Sequence, residues 1–318
     1  MRIVARLAAL VLTTLATIAC SPPYRPAITA APERAVPATT AYEQSLFEGA
    51  GGVSLFQQSW RPRTTPKGVV IVVHGLLDHS SRYAAVAERL VRENYAVYTF
   101  DLRGHAHSEG VRVWVSAFDD YLADLDLFVA NVRRREGTRP LFIFGHSAGG
   151  AIVTLYTITR QPEIRGLVLS APLLKVGPEV SGPTKVVVRA LGAVLPESGV
   201  LNLDKPKFSR DPAVLEDCAN DPLIYPKGAP ARTAVALFGA IGRIQDDMER
   251  IKVPLLVLHG AEDSITDPEG SKQLKARARS TDKTLKIYPG LYHDLAHEPE
   301  REQVVGDIAS WLNAHVEP

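Results

Sequence analysis

Six short runs of apolar and β-branched residues recur along the chain with little polar alternation inside them: 69–73, 96–100, 141–144, 167–169, 255–258 and 285–288. A strand without alternation is buried on both faces, so these runs predict a central, mostly parallel sheet. Between them the spacing turns helical. Phe118, Tyr121, Leu122, Leu125, Phe128, Val129 and Val132 recur at intervals of three and four, with Asp119, Asp120, Asp124 and Arg133 on the opposite face. Strand and helix in alternation predict an α/β fold, a doubly wound sheet with helices on both faces. Residues 53–60 are expected to add an antiparallel strand at the start. The alternation breaks over about 172–240, where Pro and Gly are frequent and Asp221-Pro222 marks a turn. This stretch is expected to be an insertion after the sixth strand, a lid over the strand ends, with a helix over 233–243 leading back to the core.

Composition and the N-terminus narrow what such a domain can be. With 36 Lys or Arg against 35 Asp or Glu, and no Lys/Arg-dense stripe with interleaved aromatics, a nucleic-acid partner is not expected. Residues 1–19 stand apart. Arg2 and Arg6 lead into and interrupt an apolar run that is short for a membrane span and has the form of a secretory signal. The run stops at Cys20, and Ala16-Thr17-Ile18-Ala19-Cys20 resembles a bacterial lipobox, with Thr17 where Leu is preferred. Acylation of Cys20 would make this an exported, membrane-anchored envelope lipoprotein, and Ser21 would favour the outer membrane of a two-membrane envelope. An ordinary signal peptide or an uncleaved anchor is the alternative. Residues 20–41 are rich in Pro and Ala, the composition of an extended tether, which leaves 42–318 as the folded domain. Cleavage before Cys20 removes Arg2 and Arg6 and leaves 34 basic against 35 acidic residues. Only Cys20 and Cys218 are present, and an acylated Cys20 cannot pair, so no intrachain disulfide is expected.

The chemistry centres on Phe144-Gly145-His146-Ser147-Ala148-Gly149-Gly150, where an apolar run passes through Gly-x-Ser-x-Gly into a helix-forming segment. That is the form of a nucleophile elbow, and Gly145 and Gly149 are the small neighbours that so tight a turn needs. A serine nucleophile requires an imidazole base and a carboxylate to hold it. Asp263 follows the run 255–258 and His293 follows 285–288, each at the expected carboxyl end of a strand, so Ser147, Asp263 and His293 form the candidate triad. Glu262 and His297 are the weaker alternatives, and His259 reads as structural. Oxyanion donors are expected from the amides of Ala148 and of Leu76 in His74-Gly75-Leu76. His74, His79, His105 and His107 share no carboxylate at metal-ligand spacing, so neither metal nor cofactor is expected. His105 is expected to brace the loop around 101–104.

Several segments together carry a family resemblance. His74-Gly75-Leu76-Leu77-Asp78-His79-Ser80-Ser81-Arg82-Tyr83, the stretch from Phe100 through Arg103-Gly104-His105 to Gly110, the elbow, Asn220-Asp221-Pro222-Leu223, and Thr284 to His293 are similar to the monoacylglycerol lipases of the α/β-hydrolase superfamily. The resemblance spans about 47–312. It implies the α/β-hydrolase fold, a small lipid ester as substrate, and a lid whose apolar outer face meets a membrane or other lipid. It also implies a polar pocket in which Asp78 and Arg82 would hold the glycerol end. Three departures bear on the leaving group: Asp78 replaces a longer acid, Ala106 a glycine, and Cys218 a lid tyrosine near the glycerol. A lysophospholipase, a general carboxylesterase or an aminopeptidase could use the same triad, and a lipid-binding lipoprotein without turnover is the non-enzyme alternative.

Overall fold

The computed structural model describes residues 35–175, 182–201, 207–226 and 228–317, so residues 1–19, Cys20 and most of the tether lie outside the described residues. All six apolar runs form strands. In chain order the strands of the described residues are β1 (Thr40–Glu48), β2 (Ser54–Pro62), β3 (Gly68–Val73), β4 (Tyr95–Phe100), β5 (Leu141–His146), β6 (Gly166–Ser170), β7 (Gly199–Leu201), β8 (Ala229–Pro230), β9 (Leu255–Gly260) and β10 (Lys283–Tyr288), and the six runs are β3, β4, β5, β6, β9 and β10. Eight of them make one sheet in the order β1-β2-β4-β3-β5-β6-β9-β10, and β7 pairs with β8 alone. Within the eight-stranded sheet β2 alone runs against the others, antiparallel to both β1 and β4.

The helices are α1 (Ala84–Arg92), α2 (Asp119–Glu136), α3 (Ala148–Arg160), α4 (Gly182–Val194), α5 (Pro212–Asn220), α6 (Ala231–Asp247), α7 (Pro268–Arg277) and α8 (Arg301–His315). Alternate residues of each central strand feed two cores. Val69, Ile71, Ile143 and Val257 pack with α2, α3 and α6 on one face. Val70, Val72, Phe142 and Leu256 pack with α1 and α8 on the other. A buried Val, Leu or Ile contributes about 1.5–3 kcal/mol, which is why runs that are apolar on both faces become the centre of the sheet.

Two expectations need correcting. Strand β1 begins at Thr40, two residues before the expected start of the folded part, because main-chain pairing with β2 extends it to the register Thr40↔Pro62. Apolar content does not mark this edge strand, whose Leu46 is half exposed. Asp124, expected on the solvent face of its helix, is fully buried: Arg103 forks onto its two carboxylate oxygens, each at 2.6 Å. A charge pair from the loop after β4 has overridden the helical pattern.

Between β6 and β9 the chain builds α4, β7, α5, β8 and α6. Part of this insertion stands over the carboxyl ends of the strands, with the Phe208 ring 5.5 Å from that of His293. The helix leading back spans Ala231–Asp247 and packs against α3. On α4, Val186, Val187 and Val194 are 63%, 56% and 65% exposed.

Candidate active site

The last residues of β5 turn sharply into α3, with Ser147 at φ 53° and ψ −120°. Such a conformation costs about 1–3 kcal/mol in a residue with a side chain, and the surroundings must hold it. They do so through three main-chain bonds: Ser147 N donates to Ser170 O at 3.0 Å, and Ser147 O accepts from Ala151 N and Leu173 N at 3.1 and 2.9 Å. Close approach explains both glycines. A Cβ on Gly145 would lie 2.5 Å from Val153 Cγ2, and one on Gly149 would lie 2.3 Å from Val73 O.

Asp263 sits in the loop after β9 and His293 in the loop after β10. His293 Nδ1 lies 2.8 Å from Asp263 Oδ2, so in the neutral ring Nδ1 donates and Nε2 keeps its lone pair. That Nε2 is buried and has no hydrogen-bond partner among the described residues. The His293 ring is 4.8 Å from that of His146, the residue before Ser147. The carboxylate is anchored on both oxygens: Oδ1 accepts from Ile265 N and Thr266 N at 2.8 and 3.0 Å, and Oδ2 lies 2.8 Å from Thr266 Oγ1. Burial works against its charge, yet His293 and His259 hold the Asp263 carboxyl far below the usual carboxylate range. His146 is pushed down to about 4 by burial and by the neighbouring His293, so it stays neutral at pH 7.

The loop after β3 runs beside Ser147, where a Cβ on Gly75 would come within 3.2 Å of Ser147 Cβ. His74 fixes this loop: its Nε2 accepts from Leu102 N at 2.9 Å, which leaves Nδ1 to donate to Gly75 O at 2.7 Å. The Gly75–Leu76 peptide is trans, so a bond to its carbonyl also sets the direction of the Leu76 N–H. Neither Leu76 N nor Ala148 N donates to a protein acceptor among the described residues.

The polar end is a buried charge network. Asp78 accepts from His79 N at 2.8 Å and Tyr83 Oη at 2.9 Å, and Arg82 bridges Asp78 at 3.3 Å and Asp294 at 2.7 Å. His297 closes the ring, with Nδ1 2.8 Å from Asp294 and Nε2 2.9 Å from Arg82 O. Against the cost of burial, Arg82 and His74 lower Asp78 to about 2. A cleft of about 720 Å³ opens here, lined by His79, Arg82, Cys218, Asp221 and His297 among others. Asp78 lies behind Arg82 and is not part of that lining.

The family described as serine aminopeptidase, S33, matches residues 64–300. The monoacylglycerol lipase of Mycolicibacterium smegmatis is 37% identical over 85% of this chain and 96% of its own length. The human monoglyceride lipase is 35% identical over 83% of this chain and 88% of its own. Among solved structures, the Paleococcus ferrophilus monoacylglycerol lipase is 32% identical, with a TM-score of 0.75 over 82% of this chain and 99% of that one. The chain belongs to the monoacylglycerol lipase group of the α/β-hydrolases. It is a serine ester hydrolase.

Within this hydrolase the structure brings Asp263 and His293 into contact at the strand edge that carries Ser147, and sets Leu76 and Ala148 beside the elbow. Arg82 and Cys218 reach the polar cleft. Glu262 is exposed, and His297 faces Asp294 and Arg82 instead of Asp263. His79 pairs with Asp221 at 2.8 Å, which links the loop after β3 to the insertion. Sequence reasoning gave His259 only a structural reading and did not weigh Asp294. His259 Nε2 stands 3.1 Å from Asp263 Oδ2 while its Nδ1 meets Ser271 Oγ at 2.7 Å. Asp294 is the hub of the polar network. Its position next to His293 was a signal, but a carboxylate beside a base reads as solvated until its partner Arg82, far away in sequence, is placed.

Proposed function

We propose that this hydrolase cleaves monoacylglycerol into fatty acid and glycerol through an acyl-enzyme on Ser147. Ser147 Oγ attacks the ester carbonyl as His293 Nε2 takes its proton, and Asp263 stabilises the imidazolium through Nδ1. The amides of Leu76 and Ala148 receive the developing oxyanion. His293 then returns the proton to the leaving glycerol oxygen, and water, activated in the same way, releases the fatty acid. The observation that carries this reading is the 2.8 Å His293–Asp263 bond, with an unpaired Nε2 at the edge where the elbow serine stands. The names of the relatives, and the exposed valines of α4 on an insertion that would act as a lid, support a lipid ester as substrate. Residues 1–19 would direct export, and acylation of Cys20 would hold the enzyme in the bacterial envelope beside membrane-derived amphiphiles.

A fluorophosphonate probe should label the wild type and leave Ser147→Ala unlabelled; a folded wild type that stays unlabelled would remove the enzyme reading. In a panel of monoacylglycerol, lysophospholipid, short p-nitrophenyl ester and aminoacyl amide, monoacylglycerol should give the highest kcat/KM, and preference for the amide would refute it. Metabolic labelling with an alkynyl fatty acid should mark the wild type and miss Cys20→Ala.

A further inference from the structure

The near-neutral chain hides a strong internal polarity. The segments that feed the amino ends of the parallel strands, with the end of β2, are 61–67, 92–94, 133–140, 160–165, 248–254 and 277–282, and they hold fourteen Lys or Arg against five Asp or Glu. The segments leaving the carboxyl ends, 74–83, 101–118, 171–175, 261–267 and 289–300, hold four against nine. Helix polarity does not account for the basic edge. Six helices, α1, α2, α3, α6, α7 and α8, end there, the last with Asn313 against Lys67 and Tyr95, and at roughly half a negative charge each they offset only about three of the surplus cations. Ion pairs within these segments are already counted, including Arg61 on the buried Glu136 at 2.7 Å, and two further cations, Arg135 and Arg250, pair with Glu43 and Asp247 just outside them, at 2.6 and 3.7 Å.

This edge also has a shape and an address. Arg61, Arg63 and Arg139 with Thr64 and Thr65 line a cleft of about 370 Å³. Thr40 pairs with Pro62, so the chain preceding β1 leaves the domain at this edge: Arg63 N donates to Thr39 O at 3.1 Å, and Arg63 Nε to Ala38 O at 2.7 Å. None of the six basic segments contains Phe, Tyr or Trp, so the surface offers phosphate-directed charge without a stacking platform for bases.

We propose that the amino edge of the sheet is a docking face for an anionic phospholipid bilayer, with Arg63, Lys67, Arg134, Arg139 and Arg165 meeting the headgroup phosphates. The catalytic edge then faces away from that bilayer, and the exposed valines of α4 are turned toward a separate amphiphile phase. Where Cys20 is acylated as proposed above, the anchor and the basic face act on the same side. The docking face itself does not depend on that acylation.

The test is sedimentation of the full chain with vesicles of phosphatidylcholine, alone or with about one-third phosphatidylglycerol. Binding should be at least about tenfold stronger with phosphatidylglycerol at low salt, and should fall to the neutral-lipid level by about 0.5 M salt. The triple variant Arg63→Glu/Lys67→Glu/Arg134→Glu should lose this increment while hydrolysing a soluble short-chain ester at the wild-type rate. Val186→Ser/Val187→Ser should keep the increment. Equal binding to both vesicles, an increment that survives the triple reversal, or tighter binding to a single-stranded oligonucleotide than to anionic vesicles would each overturn the proposal. Ester hydrolysis reads the site reading separately, so failure of one leaves the other standing.

Discussion

At the carboxyl edge of the sheet the charges are buried and already paired: Asp263 with His293 and His259, Asp78 and Asp294 with Arg82. At the amino edge most cations are exposed, and Arg133 and Arg63 donate largely to backbone carbonyls. The difference teaches where free energy is concentrated. Buried pairs are held in fixed geometry by a low-dielectric surround and suit chemistry on a single atom, whereas exposed cations keep their hydration and act collectively over a longer range.

Removal of the Ser147 hydroxyl should break the comparison most sharply. Ser147→Ala is expected to lower kcat for ester hydrolysis by about 10³- to 10⁶-fold with little change in Tm, because Ala keeps the elbow backbone. Steady-state kinetics with a thermal melt check this. Gly149→Ala should act through the fold instead. Its Cβ would stand 2.3 Å from Val73 O, a backbone atom with no rotamer to move, so a loss of about 3 kcal/mol or more in urea unfolding is expected.

The buried carboxylates give the acid edge a pH signature. Asp78 has its folded pKa lowered to about 2. A depressed carboxylate contributes stability above its unfolded pKa, near 3.9, and loses it as pH falls through the folded value. Asp78→Asn should therefore cost about 2 kcal/mol at pH 7, a difference that shrinks below about pH 4 and vanishes only below about pH 2. A constant difference across chemical unfolding from pH 7 to 2 would contradict this assignment. His259 acts at one remove, through Asp263. His259→Phe removes a donor from a charged oxygen and should lower kcat about tenfold with KM nearly unchanged. His259→Gln, which keeps an N–H, should recover most of the loss.

The parts of this molecule that were legible in the sequence share one physical property: the cause lies within a few residues of the effect. Strands buried on both faces show as unbroken apolar runs, and the elbow shows because Gly145 and Gly149 must admit Val153 and Val73. Asp263 and His293 were legible because each follows its strand directly. What stayed hidden depends on partners distant in sequence. β1 forms by pairing with β2, Asp124 is drawn inward by Arg103, and Asp294 acquires its role from Arg82. The basic edge is the extreme case. Its cations are scattered over six segments, none of them dense enough to read as a stripe, and only the sheet topology gathers them.

Neutralising that edge should have the smallest effect of all on folding and chemistry. Arg63 and Arg134 are exposed, and Arg63 bonds mainly to the carbonyl of Ala38. Surface charges of this kind contribute about 0–1 kcal/mol, and exchanging cations for polar groups at an edge with a surplus of like charge relieves repulsion as it removes bonds. The double variant Arg63→Ser/Arg134→Ser is therefore expected to unfold within about 0.5 kcal/mol of the wild type and to hydrolyse a soluble ester at the same rate. A large loss of stability would mean that the amino edge is part of the scaffold. A large loss of kcat would mean that the two edges are coupled through the sheet, which the rigid packing of β3 and β5 between two cores argues against.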